Sequence, residues 1–340
     1  MILINTLAVI EIALLHLVSL VWIPTKHLTW WWRRLTIDNV SRKHVAISGC
    51  DSGFGRILAL RLAKCGIRVY AGCLTEDGIK SLKDETEQTR RSASKFGAIK
   101  PHKLDITIEE SVQTFGEFVK QNLPTEGLWA IVNNAGILGP CLEDKFADLD
   151  AYRKNLDVNF FGHISLTHAL CGSIDPRIGG RILFMLSSSS HTAVPYYGPY
   201  AAAKSALTEL GYTNIKVITL SPGFYCTNLY SDGVIRHLRA ALENRYSDKI
   251  SAEQREEFIA QRQRFLERYM WLATGKNRVN DVVAVMEKGV IARYPKLENK
   301  IGHNNWLFLL LGNYSSCEAQ QWYNYIGRKY VLHDFDSTYL

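Results

Sequence analysis

From residue 44 the chain alternates short apolar runs of strand length with longer amphipathic stretches, the pattern expected when parallel strands are joined by crossover helices. Strands are predicted at 44–48, 68–73, 99–104, 129–133, 181–186 and 217–220. Helices are predicted at 55–65, 78–94, 108–122 and 148–172, with Asp105-Ile106-Thr107 ahead of Glu109-Glu110 as a start signal for the third. The expected fold class is α/β, a doubly wound parallel sheet, without internal repeats. After Pro222-Gly223 the pattern changes, and 232–272 reads as charged and helical, with Arg255, Glu256 and Glu257 leading a basic-aromatic run to Trp271. Doubly wound sheets bind ligands at the carboxyl ends of their strands, so a region at about 228–275 is expected to act as a lid. A solvated surface hairpin is the plainer alternative. The run Trp306 to Leu311 is too short to span a bilayer, and is expected to be a buried strand rather than a second surface dipping into lipid.

The apolar pattern at the start of the chain differs. Residues 2–22 are long enough to cross a bilayer and are interrupted only by Asn5, Thr6, Glu11, His16 and Ser19. The expected organisation is a membrane anchor helix at 1–24, a juxtamembrane segment at 25–41 and one catalytic domain at 42–340. A cleaved signal peptide is the competing reading, but no basic n-region or small-residue cleavage site precedes Ile23-Pro24. Lys26, Arg33 and Arg34 follow the span and no Lys or Arg precedes it, which places the domain on the cytosolic face. Trp30, Trp31 and Trp32 suit a belt at headgroup level, or else a hydrophobic pad on the soluble domain.

At 340 residues and 47% apolar content, one domain with appendages is expected. The formal charge of +7 arises from 40 basic against 33 acidic residues without a basic block, which argues against nucleic acid as a partner. Seven scattered cysteines lack C-x-x-C or metal-ligand spacing and read as reduced structural thiols.

The candidate chemistry lies in Pro199-Tyr200-Ala201-Ala202-Ala203-Lys204, which follows the serine tract 187–190. On a helix, residues four apart share a face, so the Tyr200 phenol and Lys204 ammonium address one point. A fixed cation beside a phenol favours the phenolate, lowering a pKa of about 10 toward working pH. A serine hydroxyl thirteen residues upstream can bind the same oxygen. A second signal is Ser48-Gly49-Cys50-Asp51-Ser52-Gly53-Phe54-Gly55, lying between the first strand and the first helix. Small residues there let backbone approach a pyrophosphate, and the helix start supplies free N–H groups and a favourable dipole.

In this order the motifs resemble the short-chain dehydrogenase/reductase family, closely over 42–230 and loosely over 230–330. The matching elements are Gly49, Gly53 and Gly55; Asp105 after the third strand; Asn133-Asn134-Ala135-Gly136 after the fourth; and Asn159 in Val158-Asn159-Phe160-Phe161-Gly162. Ser187, Tyr200, Lys204 and Pro222-Gly223 followed by Thr227 complete the set. The glycine segment and Ala71-Gly72-Cys73-Leu74 look like the branch of retinol, hydroxysteroid and hydroxybutyrate dehydrogenases. The resemblance implies a Rossmann-type fold and a nicotinamide cofactor, NAD or NADP, with no metal. It implies Tyr200 as general acid/base, Lys204 as modulator and ribose ligand, Ser187 (or Ser188) as substrate-orienting hydroxyl, and Asn159 on a water-linked proton path. The cofactor cleft would be lined by Ser48, Gly49, Asp51, Ser52, Gly53, Phe54 and Gly55. It would continue through Asp105, Asn133, Ala135 and Gly136, and end at Tyr200, Lys204, Pro222, Gly223 and Thr227. Plainer roles stand beside these, namely a buried amide satisfying a bent helix for Asn159, a helix cap for Asp105 and a structural turn for Asn133. The end of the second strand, Cys73-Leu74-Thr75-Glu76-Asp77, carries an acidic pair that would repel a 2′-phosphate, so NAD is the expected cofactor.

One departure stands out. Only seventeen residues separate Lys204 from Pro222, about two helical turns fewer than family members carry in a helix that also lines their subunit interface. The expected function is a membrane-anchored oxidoreductase acting on a lipophilic alcohol or carbonyl of retinoid or steroid class, in the endoplasmic reticulum membrane or alternatively a mitochondrial one, with a homodimer left open. The alternatives are a small hydroxy-acid dehydrogenase and a catalytically impaired nucleotide-binding membrane protein.

Overall fold

The computed structural model describes residues 32, 34–92, 95–139, 147–175, 179–191, 196–212, 214–223, 225, 227, 239–240, 242–243, 251–272 and 279–302. A seven-stranded sheet, parallel throughout, organises them in the order β3-β2-β1-β4-β5-β6-β7. The strands are β1 His44–Ser48, β2 Arg68–Cys73, β3 Ala98–Lys103, β4 Ala130–Asn133, β5 Arg181–Met185, β6 Lys216–Pro222 and β7 Glu298–Ile301. The helices are α1 Gly53–Lys64, α2 Glu76–Ser92, α3 Glu109–Gln121, α4 Leu149–Leu156, α5 Gly162–Cys171, α6 Gly198–Ser205, α7 Ala252–Leu272 and α8 Val279–Ile291.

Strands buried on both faces explain the near-continuous apolar runs, because alternate side chains feed two cores. Val45, Ile47, Val69 and Val132 pack with Leu58 and Leu62 of α1 and Val282 and Met286 of α8. Ala46, Tyr70 and Ile131 face the other way, onto Phe115 and Val119 of α3 and Leu166 and Leu170 of α5. The sheet thus sits between two helical layers, and the strand order reverses between β1 and β4. Ligands of such sheets bind in the crevice outside the carboxyl ends at this switch point.

The six predicted strands are present with ends within two residues. The helix predicted at 148–172 is instead three pieces, since a π-helical turn at Asp157–Phe161 joins α4 to α5. β7 was not predicted, because Glu298-Asn299-Lys300-Ile301 buries only Ile301. An edge strand needs no apolar run; β7 is held through backbone, including Thr219 N–H to the Leu297 carbonyl at 2.7 Å and Gly223 N–H to the Ile301 carbonyl at 2.9 Å. Within the region expected as a lid, α7 confirms helical structure over 252–272. The rest of that region is largely outside the described residues, as are the apolar run 2–22 and Trp306 to Leu311. Among the described residues no helix is long and apolar enough to cross a membrane.

Candidate active site

The glycine segment forms the link from β1 to α1 as its spacing requires. Gly53 opens α1 with φ +62, a backbone conformation that side chains rarely adopt, and a Cβ there would point into open space. A Cβ on Gly55 would lie 2.4 Å from the Gly49 carbonyl oxygen and 2.5 Å from Asn134 Nδ2, so only glycine allows α1 to start this close to the loop. These are the features of a cradle for a pyrophosphate on a helix N-terminus, and a dinucleotide fits it.

Ser48 and Asp51 have defined local work. The Ser48 hydroxyl accepts N–H bonds from Asn134 at 3.0 Å and Ala135 at 3.1 Å. Asn134 Nδ2 in turn donates to the Ser48 and Gly49 carbonyls, at 3.0 and 3.1 Å. This clasp joins the ends of β1 and β4 across the switch point. The Asp51 carboxylate accepts from Leu74 N–H at 2.8 Å and from Thr75 N–H and hydroxyl at 2.9 and 2.8 Å, which fixes a negative charge at the carboxyl end of β2. Phe54 packs edge-on to Tyr225, ring centroids 6.0 Å apart, so its ring serves the core beside the loop. Ser52 is the N-cap residue of α1 without a side-chain cap bond.

Asp105 follows β3 and turns the chain, its Oδ1 accepting from Thr107 N–H at 2.9 Å and Thr107 hydroxyl at 2.6 Å. The N-cap of α3 is Ile108, so Asp105 shapes the approach to the helix rather than capping it. Pro222 ends β6, Gly223 follows it on Ile301, and Thr227 lies in a bend beyond.

Four polar residues, Asn155, Asn159, His163 and Thr167, are spaced by four along α4 to α5 and are 0–1% exposed. Three of them bond the chain leaving β4 at every second residue. Thr167 Oγ1 accepts from Asn133 Nδ2 at 2.9 Å, and His163 Nε2 lies 2.7 Å from the Ala135 carbonyl oxygen. Asn159 Oδ1 accepts from Ile137 N–H at 3.1 Å, while its Nδ2 donates to the Ile137 carbonyl at 2.9 Å and to Asn155 Oδ1 at 3.0 Å. The π turn puts Asn159 on this face, where its buried amide satisfies the bent helix and the Ile137 backbone. Buried Asn133 Oδ1 and His163 Nδ1 have no hydrogen-bond partner among the described residues. Burial, with the Lys204 charge adding to it, pushes the His163 imidazole down to about 3, so it is neutral and its Nε2–H donates to Ala135. His163 was passed over by motif reading, and Asn134, quoted within its motif, was given no role there. The signal for His163 was a polar residue in phase with Asn159 on an otherwise apolar helix.

The Tyr200 and Lys204 side chains lie together as their spacing requires, with Lys204 Nζ 5.9 Å from the centroid of the Tyr200 ring. Both are buried, 5% and 2% exposed. Lys204 Nζ donates to the Met185 carbonyl at 2.8 Å, which ties α6 to the end of β5 two residues before Ser187. A Cβ on Gly136 would meet Asn159 Oδ1 at 2.8 Å and Lys204 Nζ at 3.4 Å, so Gly136, Asn159 and Lys204 converge on one spot. Burial pushes the Lys204 ammonium down from 10.5 to about 7. Ser187 caps a single 3-10 turn, Ser188–Ser190; its oxygen accepts from Ser189 N–H at 3.2 Å, leaving its O–H a donor. A hydroxyl donor, a phenol and a titratable amine thus lie near the carboxyl ends of β4 and β5, groups of the kind that bind an alcohol or carbonyl oxygen and move its proton.

The buried thiols differ from this cluster, since burial holds Cys50 well above its ordinary value and raises Cys73 to about 12, which suits structural roles.

A parallel sheet with a glycine cradle at its switch point and a Tyr-Lys pair at the neighbouring strand ends defines a dinucleotide-dependent oxidoreductase in form. The profile of the short chain dehydrogenase family matches residues 43–233, and the chain belongs to that family. It is 31% identical to human retinol dehydrogenase 16 over 296 residues, covering 84% of this chain and 89% of that protein. It is 30% identical to mouse retinol dehydrogenase 7 over 308 residues, covering 87% and 92%. The mouse short-chain dehydrogenase/reductase family 9C member 7 is 29% identical over 283 residues, covering 81% and 87%. The same fold is seen in levodione reductase, with TM-score 0.56 and 19% identity over 78% of this chain and 98% of that one. It recurs in a Burkholderia phymatum short chain dehydrogenase solved with NAD, with TM-score 0.59 and 17% identity over 75% and 88%. The chain is an NAD(P)-dependent oxidoreductase of the branch that holds the retinol dehydrogenases.

Proposed function

We propose that this protein is a membrane-anchored dehydrogenase that interconverts a lipophilic alcohol and its carbonyl, of retinoid or steroid class, using NAD. The observation that carries the reading is the buried Lys204 amine, set beside the Tyr200 ring and the Gly136–Asn159 corner of the cleft. The substrate class rests on the retinol dehydrogenases among its relatives. The anchor rests on the apolar run 2–22.

In this account the α1 N-terminus around Gly53 to Gly55 holds the pyrophosphate, Asp105 lies toward the adenine, and Asn133, Ala135 and Gly136 line the nicotinamide half. A bound nicotinamide would supply the redox chemistry, taking a hydride from the alcohol carbon as NAD or returning one to the carbonyl carbon as NADH. Tyr200 exchanges a proton with the substrate oxygen, and Ser187 donates a hydrogen bond to that oxygen. Lys204 favours the Tyr200 phenolate while it is charged and receives support from the Met185 carbonyl. Asn159 holds the Ile137 backbone beside Lys204, where a water chain can reach the amine. Asp51 sets the cofactor preference, because its carboxylate is locked against the end of β2, where a 2′-phosphate would meet like charge. The Lys103 amine, on the neighbouring strand, is tied to Glu76 at 3.5 Å.

A second reading has one observation in its favour. α6 is eight residues long and the chain reaches β6 soon after it, so the surface that supports Tyr200 and contributes to a subunit interface is reduced. This favours a protein that binds cofactor without turnover. The test is cofactor binding and turnover by the purified full chain across retinoids, hydroxysteroids and small hydroxy acids, beside Tyr200→Phe. Retinoid or steroid turnover that falls about 100- to 10,000-fold in the variant, with cofactor binding retained, supports the dehydrogenase. Turnover of hydroxy acids alone would move the protein to that substrate class, and binding without turnover on any of the panel would favour the impaired reading.

A further inference from the structure

In a parallel sheet every strand starts on the same edge and every crossover helix ends there, so charge placed at those positions adds up. Here β2 and β6 start on Arg68 and Lys216 and Lys43 precedes β1, while Arg181 at the start of β5 is buried on the Gly289 and Ala292 carbonyls and faces no surface. The last turns of α1, α2 and α3 carry Arg61 and Lys64, Arg90 and Arg91, and Lys120. The opposite edge carries Glu76 and Asp77 in the first turn of α2 and Glu109 and Glu110 in that of α3, with Lys103 at the end of β3 paired to Glu76. Charges complementing the helix dipoles account for the helix ends. They do not account for Arg68 and Lys216, which are exposed and start strands. Against the bases on this edge stand Asp38, paired with Arg293, Glu287, paired with Arg61, Glu87, paired with Arg90, Glu298, which starts β7, and Glu126 and Asp175, so Arg68 and Lys216 carry the surface charge.

The basic edge is also where the chain arrives from its apolar N-terminal run. Leu35 to Ile37 dock on the end of α8, with Arg293 N–H to the Leu35 carbonyl at 2.8 Å and Ile37 N–H to the Ile291 carbonyl at 2.9 Å. Trp32 lies against Tyr294, ring centroids 5.9 Å apart, yet the two residues are 44% and 51% exposed. Thus 31 residues precede an exposed aromatic pair flanked in sequence by Arg34 and Arg293.

We propose that this amino edge of the sheet docks on an anionic phospholipid surface, Trp32 and Tyr294 at headgroup level and the bases against the lipid charge, so that the dinucleotide cleft opens on the side away from the bilayer. The proposal rests on the membrane-anchor reading above. The test is hydrogen exchange of the full chain in nanodiscs of phosphatidylcholine with or without phosphatidylserine. Protection at 34–43, 66–69 and 292–294 is expected to rise only with the anionic lipid. Arg68→Glu with Lys216→Glu should lower the docked fraction ratio by at least roughly 25-fold, each base lost counting about fivefold, while Glu109→Lys with Glu110→Lys at the other pole should not lower it. Protection independent of lipid charge, or falling on 49–55 and 134–137 instead, would overturn the proposal. A chain not recovered with discs at all would overturn the anchor as well, and turnover measured in detergent on the same preparations reports on the dehydrogenase reading separately.

Discussion

Replacing Lys204 with methionine should make the protein more stable and inactive. The amine is 2% exposed, and burial takes its pKa from 10.5 to about 7. At about 1.36 kcal/mol per pH unit, that fall corresponds to about 5 kcal/mol by which the folded state disfavours the charged amine. The sign follows from proton counts: between pH 7 and 10.5 the unfolded chain binds the proton and the folded chain releases it, so this group makes stability rise with pH across that window. Below pH 7 both states hold the proton and the whole penalty is present. Lys204→Met has a similar length and removes the penalty, less about 1 kcal/mol for the hydrogen bond lost at the Met185 carbonyl. The variant should therefore gain a few kcal/mol at pH 6.5, and the gain should shrink by about 3 kcal/mol by pH 9.5. Urea unfolding followed by circular dichroism at the two pH values reads both quantities. Equal pH dependence in variant and wild type, or a variant less stable at pH 6.5, would refute the idea that Lys204 is a strained group retained for chemistry.

Other outcomes follow from the same geometry. Asp51→Asn keeps an acceptor for Thr75 while removing the charge, and should move the NAD-over-NADP ratio of kcat/KM toward NADP by about 10- to 100-fold; an unchanged ratio would place the determinant elsewhere. Gly55→Ala puts a Cβ 2.4 Å from the Gly49 carbonyl oxygen, and should cost about 1–3 kcal/mol in unfolding and abolish detectable cofactor binding by fluorescence titration. His163→Leu breaks the bond to Ala135 and should raise the KM for cofactor more than it lowers kcat, whereas His163→Gln should restore part of the loss.

Much of this was legible in the chain because the physics was local. Strands buried on both faces must be apolar, so β1 and β2 show their ends directly, and the Tyr200–Lys204 pair follows from helix periodicity alone. The glycine cradle was legible for the same reason, since close backbone approach demands glycine wherever it falls. β7 was not legible, because an edge strand held by backbone bonds leaves no apolar trace. Nor was the depressed Lys204 amine, which depends on how completely α6 is covered by β5 and the turn after β4. The position of Asp51 also needed coordinates: sequence pointed to Glu76 and Asp77, whereas the carboxylate locked to the end of β2 comes from the glycine loop, 23 residues earlier than Leu74. The stripe Asn155, Asn159, His163 and Thr167 was visible as spacing, but its meaning depended on β4 lying beneath it.

The roles proposed for Tyr200 and Lys204 require hydride transfer to a dinucleotide on this sheet. Incubating the full chain with NAD and a retinol or hydroxysteroid deuterated at the carbinol carbon, then weighing the reduced cofactor by mass spectrometry, tests it most directly. One deuterium is expected in the NADH formed by wild type, and almost no NADH is expected from Tyr200→Phe. NAD that binds the wild-type chain yet acquires no deuterium from any such alcohol would contradict it.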